Sequence, residues 1–164
     1  DSFDIDLDIN VTANGIAAGA LFKGTETGDF DVCYMASGYL SARVPSLDLL
    51  DVPFSITDRR QAYEALDGTV GARLRADVWD RTNLQVLAFW DNGFRHVSNS
   101  RHAIRHPSDC GGLVIRTLDN QSYQDLLSDI GFRPVVTDVK ELVEKVRNGS
   151  VDARENPLTH VVNF

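Results

Sequence analysis

The sequence predicts an α/β fold with mainly parallel sheets. Two observations carry this reading. Short apolar runs alternate with amphipathic helical segments along the chain, and the runs Phe30–Met35 and Leu84–Trp90 are continuously rather than alternately apolar. Continuous apolarity implies burial on both faces, as in a parallel sheet covered by helices.

In order along the chain, Ile5, Leu7, Ile9 and Val11 alternate with Asp4, Asp6, Asp8 and Asn10, which predicts a half-buried strand over 4–11 with one acidic, solvated face. A short helix comes next, near Ala17–Lys23, then Gly28-Asp29 and the strand Phe30–Met35. Asp58 with Gln61 three residues later opens a helix, and Gly68 fits its end. Val70, Leu74 and Val78 give the next helix a buried stripe, and Leu84–Trp90 forms a further core strand.

The second half repeats the alternation. Leu113–Leu118 is a strand. Tyr123, Leu126, Leu127 and Ile130 stand at i, i+3, i+4 and i+7, with Gly131 as terminator. Pro134–Val136 is a short strand. Asp138 and Glu141 form a capping pair, Val139, Leu142, Val143 and Val146 make a buried stripe, and Gly149 stops that helix. No internal repeat and no low-complexity linker interrupts the pattern. The extended run from Leu84 passes Asn92-Gly93 into Phe94–Ser98, which makes that glycine the natural boundary between two halves, 1–92 and 93–164.

The chain has 164 residues, 43% of them hydrophobic and 24% charged, enough for a buried core. A net charge of −8 argues against nucleic acid, whose phosphates call for clustered Lys and Arg. No apolar run is long enough to span a membrane. Cys33 and Cys110 make no recognisable disulfide framework or metal-ligand spacing, and Cys33 reads as a small core residue. No metal or cofactor is called for. His96, His102, His106 and His160 have no Ser, Cys or metal partner at helical spacing and read as surface or structural residues.

Three segments then stand out in order: Asp91-Asn92-Gly93-Phe94-Arg95-His96-Val97-Ser98-Asn99, Gly112-Leu113-Val114-Ile115-Arg116-Thr117, and Val151-Asp152-Ala153-Arg154-Glu155-Asn156-Pro157-Leu158. Together they resemble the substrate-binding receptors of tripartite ATP-independent periplasmic (TRAP) transporters, in the C4-dicarboxylate-binding branch. The resemblance implies a two-lobed, periplasmic-binding-protein-like architecture with the ligand in the cleft between lobes. Residues 1–92 would be most of lobe I and 93–164 part of lobe II. It also implies that N- and C-terminal parts are missing: the family begins with a strand and helix before the segment resembling Ile5–Val11, and continues beyond Phe164. The implied function is a periplasmic receptor, exported by a signal peptide this chain does not carry, that hands a small organic acid to a membrane permease.

Arg116 lies at the end of a buried strand, where open α/β sheets gather ligands. Its planar fork of donors matches a carboxylate. By resemblance it makes the two-point salt bridge to the substrate; its structural alternative is pairing with Asp119. Arg95, at the crossing point, would add a second positive charge, or serve as a hinge salt bridge. Asn156 matches the asparagine that hydrogen-bonds the ligand, and Pro157 holds it extended; a turn role is its alternative. The commoner family pattern has glutamine where this chain has Arg154, which alters the local electrostatics. Tyr39, just beyond a core strand, is placed to cover the ligand. Trp90 and Phe94 offer aromatic walls, although packing in the core or lobe interface is the plainer reading for both. Nothing places a nucleophile, base and orienter together, so binding is expected rather than catalysis. A carboxylate-sensing domain of a signalling receptor is the alternative; an enzyme acting on a small carboxylate is the weaker one.

Overall fold

The computed structural model describes residues 4–8, 11 and 14–158. Among these described residues, five helices and four strands are formed: α1 (Ala20–Thr27), α2 (Arg59–Asp67), α3 (Thr69–Thr82), β1 (Arg95–Asn99), β2 (Val114–Thr117), α4 (Gln121–Ile130), β3 (Arg133–Val136), α5 (Val139–Arg147) and β4 (Ala153–Pro157), with 3₁₀ turns at Ser37–Tyr39, Pro45–Asp51 and Pro107–Cys110.

Local chemistry explains the helix ends. The Asp58 carboxylate accepts from the amides of Arg60 and Gln61 to start α2, and Asn120 and Asp138 cap α4 and α5 in the same way. Gly131 ends α4 in the left-handed conformation, with its amide returning to the carbonyls of Leu127 and Ser128. The helix predicted near Ala17–Lys23 forms three residues later, over Ala20–Thr27. The stripe predicted for α5 is narrower than expected: Leu142 is buried, whereas Val143 and Val146 are exposed.

All four strands belong to one sheet of order β1-β4-β2-β3. It is mixed rather than parallel throughout, because β1 runs antiparallel to β4 while β2 is parallel to both β3 and β4. From β2 through α4 the chain steps outward to β3. Through α5 it then crosses back past β2 to β4. Parallel crossovers are right-handed, so this reversal places α4 and α5 on opposite faces. Ile115 and Ala153 pack with Leu127 of α4, Leu113, Cys110 and Phe132 in one core. Arg116 and Arg154, one residue along from Ile115 and Ala153, therefore face the α5 side.

A separate core lies in the first half, where Leu40, Val44, Leu47, Leu74 and Val78 pack together and Leu84, Val86 and Phe89 lie against them. Three expectations fail here. Residues 4–8 form no strand, nor do 30–35 or 84–90, and Ile5, Leu7, Val32, Tyr34, Leu87 and Trp90 are all exposed. Ile9 and Asn10, the remainder of the first predicted strand before Val11, lie outside the described residues, as does His160. A strand exists only where a neighbour's backbone groups pair with its own, and among the described residues before Arg95 no ladder forms. Leu84–Trp90 is half-buried rather than buried on both faces, with Leu84 and Val86 turned to the core and Leu87 to solvent. Cys33, expected in the core, is only half-buried; Cys110 is the core cysteine.

Candidate carboxylate site at the sheet switch point

The crossovers step from β2 to β3 and then back past β2 to β4, which makes a switch point at the carboxyl ends of β2 and β4, the place where open α/β sheets form a ligand crevice. Arg116 is the third residue of β2 and is 2% exposed. Its Nε donates to the carbonyl of Thr137 at 2.7 Å. Among the described residues no carboxylate pairs with it, and Asp119, its alternative partner from the sequence, does not do so. A guanidinium held in such burial by one neutral carbonyl is an expensive arrangement unless an anion completes it.

Register places further groups around it. Arg116 pairs with Arg154 across the β2–β4 ladder, and two residues further along β4 stands Asn156, buried and paired with His96 of β1. Alternation puts Arg116, Arg154, Asn156 and His96 on one face of the sheet. Lys145 of α5 reaches the same region, with its Nζ at 3.2 Å from Thr137 Oγ1 and from a carboxylate oxygen of Glu141.

The opposite face carries a second polar assembly. Arg95 forms an ion pair with the buried Glu155 carboxylate, and its Nη2 donates to the Glu155 carbonyl at 3.2 Å. Thr117 Oγ1 donates to Glu155 Oε1 at 3.4 Å. The Arg95 guanidinium lies 5.6 Å from the centre of the Tyr123 ring, and the Tyr123 hydroxyl donates to Asp51 Oδ1 at 3.1 Å. Burial raises the Asp51 carboxyl above its ordinary pKa; the Tyr123 hydrogen bond and Arg95 oppose this but do not outweigh it. Burial and the neighbouring Asp51 push the Tyr123 phenol up. Burial works against the charge on Arg95, yet Glu155 and Asp51 hold its pKa above the usual value.

This assembly continues into contacts between the two halves. Asn120 Nδ2 donates to Ser41 Oγ at 2.7 Å and to Asp48 Oδ1 at 2.9 Å, while its Oδ1 accepts from the Tyr123 amide at 3.0 Å. Ser122 Oγ donates to Asp48 Oδ2 at 3.2 Å. Asp48 and Asp51 belong to the 3₁₀ turn Pro45–Asp51. At three residues per turn they share one face, so their spacing is the one sequence signal that could have marked them.

Of the six residues predicted for the site, Arg116 and Asn156 come together at the switch point. Arg95 is close in sequence register but is engaged by Glu155 and Tyr123 on the other face. Phe94 is half-exposed beneath the Arg59 guanidinium, 4.9 Å from its ring centre. Trp90 is 78% exposed and meets Tyr34 edge-on at 5.7 Å. Tyr39 is half-buried in the first half, beside Gly19. Sequence reasoning missed Glu155, Tyr123, Asp51, Asn120, Asp48 and Ser41.

The family model for bacterial extracellular solute-binding protein, family 7, matches residues 6–164. The 2,3-diketo-L-gulonate-binding periplasmic protein YiaO of Escherichia coli (strain K12) is 34% identical over 144 residues, 88% of this chain and 44% of that protein. A TRAP periplasmic solute-binding protein from Polaromonas sp. JS666, solved with D-erythronate, is 31% identical with a TM-score of 0.81, over 86% of this chain and 46% of that one. Another from Sulfurospirillum deleyianum, solved with succinate, is 26% identical with a TM-score of 0.78, over 91% of this chain and 52% of that one. The chain spans less than half the length of the curated relatives it matches. On this match to nearly its whole length, with the same α/β fold, the chain belongs to the bacterial extracellular solute-binding proteins of family 7.

Proposed function

We propose that this chain is part of a periplasmic receptor that binds a small organic acid and delivers it to a TRAP membrane permease, by binding alone and without chemistry on the ligand. Arg116 carries this reading: a nearly fully buried guanidinium at the switch point, bonded among the described residues to the Thr137 carbonyl alone, is completed by a ligand carboxylate. Asn156, on the same face and two residues from Arg154, donates to that carboxylate or to an oxygen beside it. The ligands named for the relatives, D-erythronate, succinate and 2,3-diketo-L-gulonate, are all carboxylates and support the same ligand class.

In this reading residues 1–92 and 93–164 belong to two lobes that cross near Asn92-Gly93, consistent with the two separate cores. Arg95 acts through Glu155 rather than on the ligand, because its Nε and Nη2 already donate to Glu155. Tyr39, Trp90 and Phe94 would reach a ligand only if the first half moves toward the switch point. Better contacts in the closed form let the ligand stabilise closure, which the permease then senses.

A thermal-shift panel on the complete gene product tests this. Small carboxylic acids should raise the melting temperature, whereas their uncharged amides should not. Equal shifts from acids and amides would overturn the proposal.

A further inference from the structure

Thr137 joins β3 to α5 and is 5% exposed. Each of its polar groups is engaged. Its amide donates to the Thr117 carbonyl at 3.4 Å, its carbonyl accepts from Arg116 Nε at 2.7 Å, and its Oγ1 accepts from Lys145 Nζ at 3.2 Å. Lys145 stands eight residues further on, within α5. Helix side chains lean toward the N-terminus, which lets its ammonium reach back to a residue that precedes the helix. A lysine on a solvated helix face is satisfied by its i,i+4 partner alone. Lys145 has that partner, Glu141 at 3.2 Å, and reaches Thr137 as well. Glu141 offsets the ammonium's charge, so the bond to Thr137 matters for where it holds the chain, not for the charge it brings.

From these contacts we infer that Thr137 is a positioning residue for Arg116. Lys145 ties the Thr137 hydroxyl to the body of α5, the Thr137 carbonyl pins Arg116 Nε, and the Nη1–Nη2 edge is held ready before a carboxylate arrives. This rests on the carboxylate-receptor reading above and adds what preorganises its arginine. The guanidinium is planar, so a bond at Nε fixes its plane and leaves the Nη1–Nη2 edge for a two-point contact. Among the described residues neither Nη group has a partner. Thr137 is β-branched and has few side-chain rotamers. Its neighbour Asp138 caps α5 by accepting from the Lys140 amide at 3.0 Å, so strand end, hydroxyl and helix cap all hold the carbonyl in place. Without the tether a ligand must order Arg116 itself. Ordering one long side chain on binding weakens affinity by about twofold to tenfold.

Two readouts on the complete gene product test this: the exchange rate of the Arg116 Nε proton by NMR, its resonance identified by its loss in Arg116→Lys, and calorimetry with D-erythronate and succinate as probes. In ligand-free wild type the Nε proton should exchange slowly. Thr137→Val keeps the shape but removes the hydroxyl, and Lys145→Met removes the donor. Each should speed that exchange and weaken binding by about threefold to tenfold, and the double variant should lose no more than either single one. Thr137→Ser, which restores a hydroxyl, should stay close to wild type in both readouts. In an Arg116→Lys background Thr137→Val should cost less than about twofold, because the group it positions is gone; a merely structural role would cost the same in both backgrounds. Unchanged exchange in Thr137→Val, unchanged affinity, or an equal loss in the two backgrounds would each overturn the inference. If neither acid binds wild type, the exchange rate alone decides. Arg116→Lys separates the two failures: binding unaffected by it means the carboxylate site itself is wrong, whereas a loss there with none in Thr137→Val sinks only the role of Thr137.

Discussion

Asn120→Ala should strip the main polar link between the two halves of the chain. Asn120 is 4% exposed and its side chain makes three bonds: to Ser41 Oγ at 2.7 Å, to Asp48 Oδ1 at 2.9 Å and from the Tyr123 amide at 3.0 Å. Losing the N-cap of α4 costs about 1 kcal/mol. The neutral bond to Ser41 contributes about 1 kcal/mol, and the charge-assisted bond to Asp48 about 1.5–3 kcal/mol. These terms share one side chain, and both partners keep another bond: Ser41 Oγ donates to the Gly38 carbonyl at 2.9 Å and Asp48 Oδ2 accepts from Ser122. The expected loss is therefore nearer about 3 kcal/mol than the full sum. Urea unfolding of the complete gene product reads this as a lower midpoint at unchanged slope. Asn120→Asp sharpens the test, since it keeps the cap acceptor but sets a carboxylate against Asp48, and should be no more stable than the alanine variant. A loss below about 1 kcal/mol for Asn120→Ala would refute the assignment of Asn120 as the hub of these contacts.

Gly71→Ala should destabilise by at least about 1–3 kcal/mol, because the added Cβ would lie 1.7 Å from the Leu66 carbonyl oxygen and backbone would have to move; a neutral effect in the same urea assay would show that α2 and α3 pack differently. Asp51→Asn tests the buried carboxyl. Burial raises the Asp51 pKa above 3.8, so just above that value the folded state holds more protons than the unfolded one and stability declines as pH rises until Asp51 is ionised in both states. Removing the carboxyl should flatten that decline in unfolding curves taken from about pH 4 to about pH 7, and an unchanged slope would place the Asp51 side chain in solvent.

Much of the second half is legible in the sequence because its elements are specified locally. Caps at Asn120 and Asp138, the apolar periodicity around Leu127 and the run Leu113–Leu118 each act within a few residues. β4 is harder: Ala153-Arg154-Glu155-Asn156-Pro157 places two charges in a central strand, and Arg95, 60 residues away, with Thr117 makes the burial of Glu155 tolerable. The first half misleads for a different reason. Ile5, Leu7, Val32, Tyr34 and Leu87 carry strand-forming side chains, but a strand needs a partner's backbone, which periodicity does not report. For the proposed site, Arg116 and Asn156 stand out through the motifs that resemble the family, with the strand end and Pro157 only agreeing with that choice. Tyr123 reads from sequence as part of an apolar helix stripe and Asp51 carries no signal of its own, since their significance lies in their mutual hydrogen bond.

Whether Arg116 anchors a ligand carboxylate is decided by calorimetric titration of the complete gene product and its Arg116→Lys variant with the acids that bind wild type. Lysine keeps the charge but loses the two-point fork. Binding should weaken by about 2–5 kcal/mol, roughly 30-fold to several-thousand-fold in dissociation constant. An unchanged dissociation constant for Arg116→Lys would remove this arginine from the ligand site.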